Sequence, residues 1–282
     1  MLTFGQPQID TCCRCEELSV KIKNPRLNDV AKRVAVAEKM VHQRQAKEFH
    51  THMKVVQEMC AKDNSVAAVV IDFMQNLPLP HIPVQEIFYL RQLWVNVCNI
   101  QDLKTSKSVF YIYHEGQAQK GPNEVCSFLL NYIDTYTRPG IKEVFVFSDG
   151  CPGQNRNNTV AGFFLALTDI ERFQKIVHYF STRRHSYLPC DRNFSVVKRA
   201  LNKLDRIYTV KEYLEIIVNS FAKANFTAKL IEAEDILDFK SWWPIFYKKS
   251  AISLETSKRR VPRERKNNFQ FLNISNLCTG LI

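Results

Sequence analysis

Three aspartates occupy positions from which they can act together. Asp72 closes the apolar run VAAVVIDF, Asp149 closes EVFVFSD, and Asp191 stands in HSYLPCDRNF at the head of an amphipathic helical pattern. Both runs read as strands buried on both faces. Two carboxylates at neighbouring strand ends repel one another, and a divalent cation removes that cost. Magnesium commonly takes one or two carboxylates and completes its shell with waters and phosphate oxygens. Two such ions about 3.5–4 Å apart serve phosphoryl transfer, one at the attacking oxygen and one at the leaving oxygen. The trio therefore suits metal-dependent phosphodiester chemistry with Mg2+ or Mn2+. Each acid also has an ordinary explanation: Asp72 and Asp149 as strand-end turn residues, Asp191 as a helix N-cap.

Polar residues around the acids extend this reading. The loop GCPGQNRNN after Asp149 can offer Gln154, Asn155 and Arg156 to a phosphate, or serve as a plain turn. It lacks the GxxxxGK[ST] pattern, so ATP hydrolysis is not indicated. His185 follows Arg183 and Arg184 and precedes Asp191, with Arg192 directly after that acid. These residues could position a scissile phosphate, with His185 as a proton shuttle or outer metal contact. A surface histidine is the plain alternative. Cys151 and Cys190 lie beside two of the acids, an adjacency better read as chance than as a zinc pair with His185. No GxSxG elbow or HExxH helix is present, so the hydrolase classes built on them lose support.

The elements that must position these residues follow from periodicity. Residues Asn28 to Lys62 contain no Gly or Pro and carry Val30, Val34, Ala37 and Val41, then Phe49, Met53, Val56 and Cys60, each set at 4-3-4 spacing. This predicts one long helix, a packing arm or a homodimerisation element. NLPLPHIPV reads as a proline-punctuated loop. LWVNVCNI and SVFYIYHEG alternate apolar and polar residues and read as a hairpin. NEVCSFLLNYIDTY is helical, and a helix before EVFVFSD makes that strand parallel to VAAVVIDF. NTVAGFFLALTDI is a helix, KIVHYFST a strand, and DRNFSVVKRALNKL a helix with Phe194, Val197, Leu201 and Leu204 on one face. VKEYLEIIVNSF, a strand-like FTAKLI and a Trp-rich DILDFKSWWPIFYKK follow.

The expected class is α/β, a mixed five-stranded sheet flanked by helices. The expected divisions are a Cys cluster and helical arm over 1–64, a core over 65–205, a helical extension over 206–255 and a basic tail over 256–282. That tail contains KRR and RERK, a solvated end or a phosphate-binding one.

Composition bounds the partners. The 282 residues hold 39 Lys and Arg against 28 Asp and Glu, a net charge of +11 that favours a polyanion such as DNA. No apolar run approaches a membrane span and no secretory signal opens the chain, so the expectation is an intracellular protein with no membrane partner. Nine cysteines spread through such a chain argue for reduced thiols. Cys12 and Cys15 form one CxxC with no second CxxC or HxxxH, a weak Zn2+ signal beside ordinary thiols.

The segments DFMQNLPLP, FYLRQLWVNV, YHEGQAQKGPNEVCSFLLNYI, FSDGCPGQNRNN, RHSYLPCDRNFSVVKR and DILDFKSWW resemble a transposon-derived family of animals, catalogued mainly as a domain of unknown function. The resemblance covers nearly the whole chain. It implies a relationship to DDE/D transposases and retroviral integrases, with an RNase H-like core and a nuclear location. Carried over residue by residue, it makes Asp72, Asp149 and Asp191 the metal ligands of a nuclease or transposase. It also implies that the first and fourth of the five strands are neighbours. The family usually has Gly before the His of its HS motif, where this chain has Arg184; a positive φ there would strain the turn. No complete recognition module is read in the chain, which places one upstream of Met1 or leaves it absent. The functions this supports are phosphodiester hydrolysis with strand transfer by a copy that is active, domesticated or decayed, or a catalytically inactive nucleic-acid-binding or interaction protein that keeps the RNase H-like fold. A 3′ to 5′ exonuclease ranks lower, because Phe73 and Met74 follow Asp72 where a DxE pair would be expected.

Overall fold

Along VAAVVIDF, Val66, Ala68 and Val70 face one way and Val69 and Ile71 the other, and both sets are buried. A strand apolar on both faces needs a layer on each side. The computed structural model, which describes residues 12–221 and 225–247, supplies both layers. The basic tail 256–282 lies outside these residues.

Two helices open the described chain, α1 (Cys13–Lys23) and α2 (Asp29–Lys62). Next come β1 (Val66–Phe73), β2 (Leu77–Leu79), α3 (Gln85–Tyr89), β3 (Leu93–Asp102) and β4 (Ser108–His114). They are followed by α4 (Pro122–Tyr136), β5 (Glu143–Ser148), α5 (Asn158–Asp169), β6 (Lys175–Phe180) and α6 (Pro189–Leu201). The last elements are α7 (Val210–Asn219), β7 (Phe226–Leu230) and α8 (Phe239–Phe246). The strands form one mixed sheet in the order β6-β5-β1-β3-β4-β7, with β2 paired to β3. The β1–β3 and β3–β4 pairs are antiparallel, whereas β1–β5 and β5–β6 are parallel.

Seven strands rather than the expected five make up the sheet, and both additions are peripheral. Leu77–Leu79, expected as loop, pairs antiparallel with β3 and sets Pro78 opposite Trp94. Proline is tolerated there because the short strand lies off the main path of the sheet. FTAKL adds in parallel to the far edge of β4.

Helix α2 spans the residues its periodicity predicts and is capped by Asn28, whose Oδ1 accepts the Ala31 N–H at 2.8 Å. Its two apolar sets behave differently. Phe49, Val56 and Cys60 enter the core with β1 and α6, with Met53 packed against it. Val30, Val34 and Val41 remain exposed, and Ala35 and Ala46 are buried in their place. The drift in heptad phase carries the first set off the packed face.

The α2–α6–α7 layer covers one face of the sheet through Phe49, Phe194, Val197, Tyr213 and Ile217. The α4–α5–α8 layer covers the other through Val125, Phe128, Phe163, Leu167 and Phe239. Each fully buried side chain of this size contributes roughly 1.5–3 kcal/mol from area removed from water. Leu204, expected on the apolar face of α6, lies beyond its end and is exposed. The polar half of the β3 alternation is buried as well: Asn99 and Gln101 lie under α6, where Asn193 Nδ2 donates to Asn99 Oδ1 at 3.0 Å, Gln101 Oε1 at 2.9 Å and Ser108 Oγ at 2.9 Å.

Candidate functional site

The β1–β5 register sets Val70 opposite Phe147. Two residues further on, Asp72 is level with Asp149, just past the end of β5. Adjacent strands are about 4.8 Å apart, and side chains alternate faces along each. By that alternation Asp72 leaves on the face of Ala68 and Val70, and Asp149 on the face of Phe145 and Phe147. Both faces are the one α6 covers.

Helix α6 starts on this end of the sheet. Cys190 is fully buried, its Sγ 3.6 Å from the carbonyl oxygens of Val70 and Asn99. The next residue is Asp191. It is not the N-cap, a position held by Leu188; it lies in the first turn and its Oδ2 accepts the Leu188 N–H at 2.7 Å. That turn is where the helix dipole favours a carboxylate.

The three acids form one electrostatic group. Part of Asp72 reaches solvent, but its carboxyl is enclosed, and burial is the main cause that pushes it up to about 8. The charges of Asp191 and Asp149 push it the same way. Lys120, in the β4–α4 loop, opposes them. Its Nζ donates to Met74 O at 2.5 Å and lies 5.5 Å from the Phe73 ring centroid. Burial in turn pushes the Lys120 ammonium below its usual range. Two carboxylates near enough to raise the pKa of a third, enclosed one offer the oxygen-donor chemistry that a hard dication such as Mg2+ or Mn2+ takes.

Asp149 is held from its own loop. Its Oδ1 accepts from Asn155 Nδ2 at 2.6 Å and from the Cys151 N–H at 3.2 Å. Asn155, expected to offer its amide to a phosphate, is buried and donates that amide to Asp149. Gln154 is half-buried. Arg156, Arg183, Arg184 and Arg192 are exposed on the segments that follow β5 and β6, with Arg156 5.8 Å from the Phe180 ring centroid.

His185 lies in a second cluster. Its Nε2 is 3.4 Å from Cys15 Sγ, and its ring makes an edge contact with His42 at 5.0 Å between centroids. Burial, followed by the charges of His42 and His50, lowers its pKa. His185, expected as a proton shuttle or outer metal contact, stands in a cysteine–histidine group. Cys12, Cys15, His42 and His185 are the one group of three or more His, Cys, Asp or Glu residues among the described residues whose ligand atoms lie within 4.8 Å of one another. The three aspartates are more widely spaced than a single compact cage. Arg184, before His185, has φ 61°, the positive value at which a glycine would be unstrained. The described cysteines are free thiols.

Lys120, Asn193 and His42 carry no site signal in the sequence. Lys120 sits among glycines and polar residues, Asn193 looks like one more helix-surface amide, and His42 lies mid-helix in a polar stretch. Only the Cys12–Cys15 spacing pointed toward the second cluster.

No helix among the described residues is long and apolar enough to cross a membrane. A solved structure titled "Crystal structure of NurA bound to dAMP and manganese" is 10% identical over 82% of this chain and 55% of that one, with a TM-score of 0.18. The chain thus spans little more than half of that protein's length, and a superposition this weak does not bear on the fold. No curated protein matches the chain. A family model matches residues 92–274, a span that holds Asp149 and Asp191 and begins after Asp72. The match covers more than half of the sequence, and the chain belongs to the family described as Domain of unknown function (DUF7869).

Proposed function

We propose that the chain is an RNase H-like, transposase-derived domain that processes DNA by metal-dependent phosphodiester hydrolysis and strand transfer. The observation that carries this reading is the placement of Asp72 level with Asp149 on adjacent parallel strands, with α6 bringing Asp191 over the same face. The strand order supports it: an antiparallel β1-β3-β4 meander on one side of β1 and parallel β5 and β6 on the other is the order expected of an RNase H-like core.

Asp72 stands between the other two acids electrostatically and would hold metal with both. Mg2+ or Mn2+, when bound there, would supply charge stabilisation to the attacking and leaving oxygens. Asn155 fixes the orientation of Asp149, and the Leu188 N–H fixes that of Asp191. Lys120 offers positive charge beside Asp72. Arg156, Arg183, Arg184 and Arg192 would track the DNA backbone, giving affinity that falls with salt. A nuclear location and self-association through the exposed Val30, Val34 and Val41 of α2 belong to the same proposal.

The test is nicking of supercoiled plasmid with Mg2+ or Mn2+. Wild-type protein is expected to convert closed circles to nicked ones, and Asp149→Asn to lose this activity. Metal-dependent nicking that survives Asp72→Asn, Asp149→Asn and Asp191→Asn would overturn the site. A linear substrate with free 3′ ends, compared with the circle, separates exonucleolytic trimming from internal cleavage.

A second reading, DNA binding without cutting, is favoured by Arg184, a non-glycine residue at φ 61° in the turn leading to α6. Salt-sensitive DNA binding with no nicking at millimolar Mn2+ would select it.

A further inference from the structure

We propose that Cys12, Cys15, His42 and His185 bind one zinc ion that clamps the α1–α2 arm to the loop leading into α6. The four residues come from three distant stretches: the start of α1, the middle of α2 and the β6–α6 loop. Their ligand atoms nevertheless lie within 4.8 Å of one another. Cys12 Sγ is 3.2 Å from His42 Nε2, and Cys15 Sγ is 3.4 Å from His185 Nε2. A tetrahedral zinc with Zn–S of about 2.3 Å and Zn–N of about 2.0–2.1 Å has S–N edges of about 3.5 Å. The two pairs are already close to two edges of that tetrahedron.

The donor set selects the metal. Two thiolates and two imidazoles suit zinc and disfavour magnesium or calcium, which take oxygen ligands. Four protein ligands fill a tetrahedron, as in structural rather than catalytic zinc sites. Cys12 is buried and the other three are half-buried, an enclosure that suits a structural centre.

Surrounding contacts brace the same junction. His50 Nε2 is 3.1 Å from the carbonyl oxygen of His185. Ser19 Oγ donates to Cys15 O at 2.7 Å and accepts from Lys39 Nζ at 2.8 Å, while Arg14 pairs with Glu38 at 2.6 Å. The loop itself is bent by Arg184 at φ 61° and Tyr187 at φ 37°. Such backbone persists where its surroundings over-determine it, and a metal bond at His185 is a constraint of that kind. Because Asp191 follows His185 closely in sequence, the clamp would also fix the segment that delivers the third aspartate. Zinc is then a positioning element for the carboxylate site, bound independently of it.

Zinc content of the purified full chain tests the proposal. After zinc-supplemented expression and desalting, about one zinc per chain is expected. Cobalt exchange should give the intense visible bands of a tetrahedral site with thiolate charge-transfer absorption. Cys15→Ser and His185→Ala should each weaken zinc binding by more than about 100-fold, beyond the 10–100-fold that outer-shell changes cost. Cys15→His, which restores a ligand, should keep a tetrahedral cobalt spectrum even if the other two variants fold poorly. Folded wild-type protein without zinc, full zinc retention in His185→Ala, or a Cys12–Cys15 disulfide detected by mass in protein expressed with zinc would each overturn it. Asp72→Asn should retain its zinc, so this result stands apart from whether the aspartates cut DNA.

Discussion

Asn155 Nδ2 lies 2.6 Å from Asp149 Oδ1, and the Asn155 side chain is buried within the loop that follows β5. Its own Oδ1 is the one buried side-chain oxygen or nitrogen without a protein partner among the described residues. An amide that spends its donor on a carboxylate and leaves its acceptor unmatched is placed for Asp149, since an unsatisfied buried acceptor costs about 1–3 kcal/mol. Asn155→Ala is expected to free Asp149 and weaken Mn2+ binding by 10–100-fold, the range for residues that orient metal ligands. Isothermal titration with Mn2+ checks this; unchanged affinity in Asn155→Ala would remove this residue from the site.

Asp72→Asn keeps the shape of the side chain and removes the need to bind a proton on folding, which burial and the charges of Asp191 and Asp149 impose by raising the enclosed carboxyl to about 8. The variant is expected to be more stable than wild type by about 1–3 kcal/mol at neutral pH in metal-free buffer. It should also lose the rise in melting temperature that Mn2+ gives wild type, because ligand binding to the native state is what produces that rise. Thermal scans with and without Mn2+ read both effects.

His178 carries the clearest pH dependence. Its Nε2 contacts Ser148 Oγ at 2.8 Å, and its ring packs between Phe164 and Phe180. Burial lowers its pKa from 6.5 to about 3. The unfolded chain therefore takes up this proton before the folded one does. Stability from neutral His178 is fully present above pH 6.5 and is lost as pH falls from 6.5 toward 3. Between pH 7 and 5 wild type should lose about 1–2 kcal/mol more than His178→Phe, measured as the difference in urea unfolding curves. Parallel pH profiles would show that the ring already titrates in the folded state.

Asn193 ties α6 to the sheet through Asn99, Gln101 and Ser108. Asn193→Leu leaves those buried acceptors without their shared donor and should cost about 2–4 kcal/mol. Because α6 also carries Asp191, Mn2+ affinity should fall together with stability. A variant that loses stability yet keeps wild-type Mn2+ affinity would show that α6 holds Asp191 in place without this anchor.

Periodicity alone determined most of the elements. The Gly- and Pro-free run to Lys62, the apolar VAAVVIDF and EVFVFSD and the hairpin segments all reappear, because local burial patterns report the layer each element must pack against. The same logic singled out Asp72 and Asp149, acids that close an apolar run at its carboxyl end, and Asp191 at the head of an amphipathic helical pattern. Tertiary structure decided what no local pattern carries. Strand register made Asp72 level with Asp149, and packing under α6 turned Asn99 and Gln101 inward. The fold also brought His185 to Cys15 across 170 residues of chain. Contacts between side chains so far apart depend on the closure of the whole sheet and on where α2 crosses it, and a spacing motif cannot encode either.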